Sequence, residues 1–467
     1  MIQPMLQEIL RLGGMPVSLA DHAHFTGGDP VFQTPFRIAV TGAAALGAVG
    51  LMLAQLRELQ SGARSDVLVD ARSAAVSMRS TYYILVDGKP GRNPPESVGG
   101  FYRTASGRMI YFHCNFPWHQ EAILRVLKVP ADCAKVAEAV SRWDCFELEA
   151  AVEEAGACAP VVRTREEWAA LPNTATLARE PLVEIRKIGD SKPMALAPEG
   201  RPLSGMRVLD FTRVIAGPSC CRLLAEYGAD VLKIGSKRRP DSAANETDTA
   251  YGKRKAILDL RSPDGRAQLD ELVRRCDVFC QAYRRGAMSG LGFSPERVAE
   301  LRPGIVYTSL TAFGYTGPWA GHRGFDTVVQ PASGMAMLQG GSLDTPELTP
   351  VSALDYLAGY LMTFGTLVAL KRRAEFGGSY SVNVSLARVC EWLLSQGLIP
   401  ADQVKATPKD LRGDELAPML VTVPSPLGQL TRMRPVIRFS DGAYSDLPPW
   451  RAFHVPRAVW SSAAPVC

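Results

Sequence analysis

The sequence lacks the short motifs that identify the commonest nucleotide enzymes and hydrolases. It contains no GxxxxGK[ST] phosphate loop and no GxSxG segment, and its glycine turn at 212–218 does not follow the GxGxxG pattern. P-loop NTP chemistry, nicotinamide dinucleotide binding and serine hydrolysis therefore lose support.

Cysteine spacing and charge exclude further classes. The ten cysteines follow no regular spacing, and the six histidines have no partners at metal-ligand spacing. We therefore expect free thiols in a reducing cytoplasm, with neither a disulfide framework nor a metal site. With 52 basic against 47 acidic residues, the net charge of +5 is too balanced to indicate nucleic acid.

Membrane insertion also has little support. The chain does not open with a secretory signal pattern. Residues 38–54 carry no charge, but they are rich in Ala and Gly and are followed by Arg57 and Glu58. This favours a buried helix over a membrane span.

One carboxylate begins a long apolar stretch. Asp355 precedes residues 357–370, where Leu357, Leu361, Phe364 and Val368 recur at helical spacing. Apolar surroundings strip water from such a group, while the helix dipole favours an anion there. An ionised, poorly hydrated carboxylate is a usable nucleophile. The alternative is an ordinary helix-starting aspartate.

Residues 34–75 and 349–390 resemble two copies of one unit, with an offset of 315 (349 − 34 = 315). Each predicts a long apolar helix, a glycine turn, a short strand and a second helix. The identical pairs include Thr34 and Thr349, Leu46 and Leu361, Gly50 and Gly365, Ala54 and Ala369, and Gly62 and Gly377. Val40 stands where the second copy has Asp355, so the first copy cannot perform the same carboxylate chemistry.

Pattern and composition divide the chain into five regions. They are a degenerate partial repeat with its connection (1–99), a small α/β domain (100–171), a linker (172–203), a larger α/β domain (204–395), and a C-terminal return segment with a loose tail (396–467). Residues 1–33 are weakly structured by pattern.

The larger domain alternates strands with helices. Strands are predicted over 207–211, 230–234, 256–260, 277–281 and 305–310, and helices over 219–227, 263–275 and 295–301. The predicted fold class is α/β, with a Rossmann-like parallel sheet covered by helices on both faces, plus the smaller α/β domain.

Two features of this domain indicate an anionic ligand. The glycine turn at 212–218 leads from a strand into a helix, which leaves free N–H groups for an anion. Basic residues cluster at the ends of the next strands, where a phosphate-rich coenzyme would bind. They are Lys233, Lys237, Arg238, Arg239, Lys253, Arg254, Lys255 and Arg261.

Five segments in order resemble class III CoA-transferases, the formyl-CoA and carnitine CoA-transferase family. They are GMRVLDFTRVIAGPSCCRLLAEYGADVLKI, YGKRKAILDL, DVFCQAYRRG…LGF, LTAFGYTGPWA…GFDTVVQPASG and the Asp355 helix, which together span residues 203–395 nearly continuously. The resemblance implies an acyl-CoA substrate, a carboxylic acid acceptor, Asp355 as the catalytic residue and no separate cofactor. It also implies CoA contacts around Arg213, Val214, Ile215, Ala216, Leu258, Arg261, Tyr283, Ala287, Arg323 and Phe325.

The resemblance further implies covalent catalysis through an aspartyl anhydride and an aspartyl thioester, and a homodimer. Two alternatives remain open. α-Methylacyl-CoA racemases are similar, but carry a histidine where this chain has Phe325. A non-catalytic CoA-binding role is the other, because the chain departs from the family at Gly235 and Gly290. Residues 100–171 also resemble a small domain that follows the aspartate helix in typical relatives, whereas here it precedes the sheet.

Overall fold

A computed structural model describes residues 1–90, 97–241, 243–446 and 454–461 of the chain. The elements of the N-terminal region are α1 Ile2–Leu12, β1 Ala23–Thr26, α2 Ile38–Ser61, β2 Val67–Asp70, α3 Ala71–Ser77, α4 Ser80–Tyr83, β3 Leu85–Val86 and β4 Lys89–Pro90. Those of the small domain and the following segment are β5 Gly100–Arg103, β6 Met109–Phe112, α5 Pro117–Leu127, α6 Cys133–Val140, α7 Cys145–Glu154, α8 Arg165–Ala169, α9 Pro172–Leu177 and β7 Glu184–Gly189.

The larger domain and C-terminal segment continue the numbering. Their elements are β8 Arg207–Phe211, α10 Ala216–Glu226, β9 Asp230–Gly235, α11 Ala243–Thr249, β10 Lys253–Ile257, α12 Pro263–Val273, β11 Val278–Gln281, α13 Ala287–Gly290, α14 Pro295–Leu301, β12 Val306–Thr311, α15 Asp326–Ala332, α16 Met335–Gly340, α17 Ala353–Phe376, β13 Ser379–Ser385, α18 Leu386–Ser395, α19 Ala401–Ala406, β14 Leu420–Ser425, β15 Gly428–Met433 and β16 Ile437–Phe439.

A seven-stranded sheet organises the larger domain. Its strand order is β10-β9-β8-β11-β12-β13-β7, and every neighbouring pair is parallel except β13 and β7. Helices follow most of the parallel strands, as βαβ connections require. The predicted α/β fold class with a mostly parallel sheet is confirmed.

The two longest helices form the centre of the core. Both α2 and α17 have 24 residues, pack against each other and are almost entirely buried. They are long and apolar enough to cross a membrane by length and composition, but 94% and 100% of their most apolar windows lie inside the protein. α17 begins and ends 315 positions after α2, so the element pattern follows the predicted repeat, although the duplication itself stays a prediction.

Close packing of α17 on α10 depends on Gly359. A Cβ atom at this position would lie 2.6 Å from the carbonyl oxygen of Ala216, in the first turn of α10. Backbone cannot yield as a flexible side chain can, so we expect Gly359→Ala to cost about 1–3 kcal/mol of unfolding free energy. Urea denaturation measures this.

The matched control is Gly28→Ala, whose Cβ would meet no atom within 4 Å. We expect a change within about 0.5 kcal/mol for it. Equal effects of the two substitutions would contradict the packing argument.

The structure corrects several sequence predictions. Residues 1–33 are not weakly structured, because α1 buries Ile2, Met5, Leu6, Ile9 and Leu10 on one face. The segment 172–203 is not only a linker, since it contains α9 and the charged edge strand β7. Charges suit an edge strand, which is why the pattern looked like a loop.

Two further predictions, a strand of the sheet and the C-terminal tail, differ from the structure. The strand predicted over 256–260 is β10, at Lys253–Ile257, because ion pairs bury the side chains of Lys253 and Lys255. The loose tail predicted from Pro448 onward includes residues 448–453 and 462–467, which lie outside the described part of the chain. In between, Trp460 is buried and its Nε1 donates to the Leu272 carbonyl oxygen at 3.1 Å.

Candidate active site

The sheet has its topological switch point between β8 and β11. Strand order reverses there, and ligands of open α/β sheets bind outside the carboxyl ends of such strands. A cavity of about 660 Å³ opens at this point, and we name it the Asp355 cavity. Eight of the residues predicted from the sequence line it: Arg213, Val214, Ala216, Tyr283, Ala287, Arg323, Phe325 and Asp355.

Three predicted residues are not part of the cavity lining. Ile215 and Leu258 are buried in the two hydrophobic cores beside the sheet. Arg261 is exposed, just before the N-cap of α12. Their contact with CoA stays a prediction.

A buried ion pair holds the turn after β8. Asp210 accepts hydrogen bonds from the Thr212 backbone N–H at 2.8 Å and from Lys253 Nζ at 2.9 Å. Lys253 Nζ also donates to the Pro218 carbonyl oxygen at 2.8 Å, which ties the strand to α10. Between them Val214 has φ of 71°, a left-handed conformation that costs a β-branched residue about 1–3 kcal/mol. The surrounding bonds therefore fix a strained turn at the cavity wall.

Asp355 is held in the first turn of α17 by a second carboxylate. Asp326 Oδ2 accepts from the backbone N–H groups of Leu354 at 2.8 Å and Asp355 at 3.1 Å. The N-cap residue of α17, Ser352, makes no side-chain cap hydrogen bond. The sequence pattern contained Asp326 in the GFDTVVQ segment but did not reveal its role, because it lies 29 positions before Asp355.

Asp29 makes the corresponding contacts at the start of α2. Its carboxylate accepts from the N–H groups of Ala39 at 2.8 Å and Val40 at 3.3 Å. These positions precede Leu354 and Asp355 by the same 315 residues as the helices themselves. Burial raises the pKa of Asp29 to about 6, and it likewise raises the pKa of Asp326 to about 6.

Burial dominates the protonation of Asp355, contrary to the expectation that the helix dipole keeps it ionised. Only 7% of the residue is exposed. Burial, followed by the charge of Asp326, raises the pKa of Asp355 well above its usual range. The carboxylate is therefore strongly nucleophilic once ionised, but harder to ionise than a surface aspartate.

This coupling predicts a pH effect. The resemblance implies that Asp355 is a nucleophile, which must be deprotonated to react. We therefore expect kcat/KM of the implied transfer to rise with pH through the raised pKa of Asp355. In Asp326→Asn the amide oxygen still caps α17, but the neighbouring negative charge is gone. The pKa of Asp355 should then fall, and the acid limb of the pH profile should move to lower pH. An unchanged acid limb in a folded variant contradicts the coupling.

The Asp355 cavity is strongly basic. Its lining includes Arg125, Arg213, Arg239, Arg284 and Arg323, against Glu121 and Asp355. Arg213 is paired with Asp241 at 2.9 Å. Burial and the charge of Arg323 lower the pKa of Arg284, and the charge of Glu153 offsets this only in part. A polyanionic ligand would relieve this repulsion.

The lysines predicted to face a phosphate ligand are buried instead. Lys233 and Lys255 each lie 3.5 Å from Asp241, while Lys253 pairs with Asp210. These ion pairs connect β9 and β10 to Asp241 and to the carboxyl end of β8. The prediction was wrong for these three because sequence alone did not reveal their acidic partners.

The small domain supplies a wall of the cavity that the sequence did not predict. Phe116 and Trp118 stack with ring centroids 4.7 Å apart. The Arg213 guanidinium lies 5.2 Å from the Phe116 ring, and Arg239 lies 4.6 Å from the Trp118 ring. These aromatic contacts orient two arginines of the cavity. The small domain, although it precedes the sheet in the chain, packs against the same cavity as Asp355.

Metal chemistry has no obvious site in this part of the molecule. Among the residues that the structure describes, no group of three or more His, Cys, Asp or Glu side chains could hold a metal ion. The nine cysteines there form no disulfide.

Comparison with known sequences decides the family. Residues 203–421 match the sequence model of CoA-transferase family III. This region belongs to CoA-transferase family III. The match includes β8, the strained turn after it, the switch point and the Asp355 helix.

Proteins similar to this chain carry transferase names. An acyl-CoA transferase of Gibberella moniliformis is 28% identical over 79% of this chain and 73% of its own length. The succinyl-CoA–L-malate CoA-transferase beta subunit of Chloroflexus aurantiacus is 33% identical over 43% of this chain and 52% of its own. A crystal structure of a hypothetical protein, Rv3272, from Mycobacterium tuberculosis is 29% identical, with a TM-score of 0.40, over 42% of this chain and 58% of its own.

The coverage is partial. Apart from the Gibberella protein, this chain spans about half the length of the curated relatives that it matches. Activity, substrates and partners of the chain are therefore inferences from its own site.

Proposed function

We propose that the protein transfers CoA from an acyl-CoA thioester to a carboxylic acid, with Asp355 as the nucleophile. The observation that carries the proposal is the position of Asp355, a buried carboxylate lining an arginine-rich cavity at the switch point of the sheet. Membership of CoA-transferase family III supports the reaction class.

The proposed reaction uses covalent intermediates on Asp355. The carboxylate oxygen attacks the thioester carbonyl carbon, the C–S bond breaks, and CoA leaves as a thiolate. The thiolate then attacks the aspartyl carbonyl carbon of the mixed anhydride, which releases the donor acid and leaves an aspartyl thioester. The acceptor carboxylate displaces CoA to form a second anhydride. Attack of the thiolate on the acceptor carbonyl then gives the new acyl-CoA and restores the aspartate.

The cavity suits the two ends of CoA. Phosphates would bind the cavity arginines that form no ion pair with a described residue, while the thioester would reach Asp355. The small domain supports this arrangement, because Phe116 and Trp118 hold Arg213 and Arg239 at the cavity. The reordered chain therefore provides both walls of the cavity within one molecule.

Racemisation at the α-carbon has less support. Phe325 lines the cavity at the position where racemase relatives carry a histidine, and a phenyl ring cannot accept a proton. CoA binding without turnover remains the outcome that would make the chain a non-catalytic member.

The deciding experiment incubates the protein with a panel of acyl-CoA donors and carboxylic acids. Mass spectrometry should detect new acyl-CoA products and, on the intact protein, an Asp355 adduct that hydroxylamine converts to a hydroxamate. Binding without product or adduct overturns transfer. Deuterium entering the acyl α-carbon without transfer would indicate isomerisation instead.

Two expectations about the setting accompany this proposal. We infer a homodimer from the resemblance to interlocked relatives, and light scattering of the full chain tests it. We also expect the protein to work in the cytoplasm, where acyl-CoA is available, and localisation of a tagged chain tests that.

A further inference from the structure

Two histidines of the small domain lie against Phe325. The His113 ring stacks on it at a centroid distance of 4.0 Å and an angle of 9°, and the His119 ring meets it edge-on at 5.6 Å. His113 Nδ1 lies 2.9 Å from Thr327 Oγ1. An imidazole therefore reaches the cavity from the small domain, at the point where the larger domain offers only a phenyl ring.

His119 lines the Asp355 cavity. The residue is 4% exposed, and its Nδ1 has no hydrogen-bond partner in the described part of the chain. An unsatisfied buried polar group costs about 1–3 kcal/mol. His119 lies in the first turn of α5, beside the stacked Phe116 and Trp118, which fix the position of this helix. A ligand in the cavity would cover a ring that the protein already holds in place.

The ring is neutral at pH 7. Burial, followed by the charges of Arg323, Arg239 and Arg213, lowers the pKa of His119 to about 4. His113, the other titratable ring nearby, is also buried, and burial lowers its pKa to about 3. A neutral imidazole carries one N–H donor, and such donors polarise carbonyl groups in other enzymes. So weak a base is poorly suited to remove an α-proton.

We propose that the His119 imidazole donates a hydrogen bond to the carbonyl oxygen of the bound thioester. This inference rests on the proposed function and adds a catalytic residue from the small domain. When Asp355 attacks the carbonyl carbon, the C=O π pair moves to oxygen, and the N–H donor stabilises the resulting oxyanion. The pair returns as the C–S bond breaks, and the imidazole keeps its proton throughout.

Kinetics of three variants test the donor. His119→Phe fills the space without a donor, and we expect kcat to fall about 10²- to 10³-fold while KM for acyl-CoA changes little. His119→Asn and His119→Gln each place an amide N–H close to where a ring nitrogen of His119 lies. At least one of these two variants should have a clearly higher kcat than His119→Phe. Wild-type kcat in the Phe variant, or equal loss in all three, overturns the proposal.

The control is His24→Asn. His24 lies on β1, its ring is exposed and pairs with Asp66, and its substitution should leave transfer unchanged. Thermal unfolding identifies a variant that fails to fold. His119→Phe should fold normally, because it replaces an unsatisfied buried polar ring with an apolar one.

A second measurement needs no turnover. In an Asp355→Asn background, which prevents covalent reaction, infrared difference spectroscopy follows the carbonyl stretch of bound 1-¹³C-acetyl-CoA. We expect a shift to lower wavenumber that disappears when His119→Phe is added. The His119-dependent shift together with an inactive wild type supports this inference and overturns transfer. Turnover with no His119-dependent shift supports transfer and overturns the hydrogen bond from His119. Failure of acetyl-CoA to bind overturns both proposals.

Discussion

We expect Asp355→Asn to lose at least about 10³-fold in kcat/KM for CoA transfer. Asparagine keeps the size and the N–H contacts of the helix start but cannot form an anhydride or a thioester. The hydroxylamine-sensitive adduct should disappear with the activity. Affinity for free CoA, measured by calorimetry, should stay within a few-fold of the wild type, because the arginines are unchanged.

The same substitution should stabilise the folded protein. Burial and the Asp326 charge raise the pKa of Asp355, so the folded state disfavours the ionised carboxylate. A neutral amide removes that cost, and the midpoint of urea denaturation at pH 8 should rise. Asp344→Asn is the matched control, because this aspartate is exposed in the loop before α17.

A fully active Asp355→Asn enzyme would contradict the assignment of the nucleophile.

We expect Lys253→Met to cost about 3–5 kcal/mol of unfolding free energy. Both side chains of the Asp210–Lys253 pair are 0% exposed, so the substitution leaves a buried carboxylate without its main partner. Burial alone would raise the pKa of Asp210, but Lys253 and Lys233 outweigh it and the pKa lies below its usual range. Urea denaturation measures the loss, and weaker CoA binding should accompany it because the pair holds the turn of Val214.

The double variant Asp210→Asn/Lys253→Met separates pairing from packing. It should recover part of the lost stability, since no lone charge stays buried. Arg142→Met breaks an exposed pair with Glu138 and should change stability by less than about 0.5 kcal/mol. If Lys253→Met and Arg142→Met lost similar amounts of unfolding free energy, burial would not determine the cost of breaking an ion pair.

The sequence predicted those parts of the site that depend on local pattern. Strand-to-helix alternation indicated the sheet, and the glycine turn and the apolar helix placed Val214 and Asp355 at one edge of it. The contributions of Asp326, His119 and Trp118 could not be predicted in this way. Their roles arise from contacts between distant segments, and no local periodicity encodes such contacts.

Charge patterns were the least reliable guide. Lys233 and Lys253 looked like solvent- or ligand-facing residues, because the pattern does not show which acids meet them in the fold. Conversely, the buried face of α1 follows ordinary helical spacing, and Ile2, Met5, Leu6 and Ile9 could have revealed it.

Asp29 and Asp326 perform the same task, since each accepts hydrogen bonds from two backbone amides at the start of a long helix. The proposed reactive acid is a different residue, Asp355, and the first helix has Val40 at the corresponding position. The side chain at position 40 can therefore change without loss of these contacts. Replacement of Asp29 by an apolar residue would instead leave the N–H groups of Ala39 and Val40 without this partner. A helix with no proposed catalytic residue can thus still be constrained by the acid that binds its first amides.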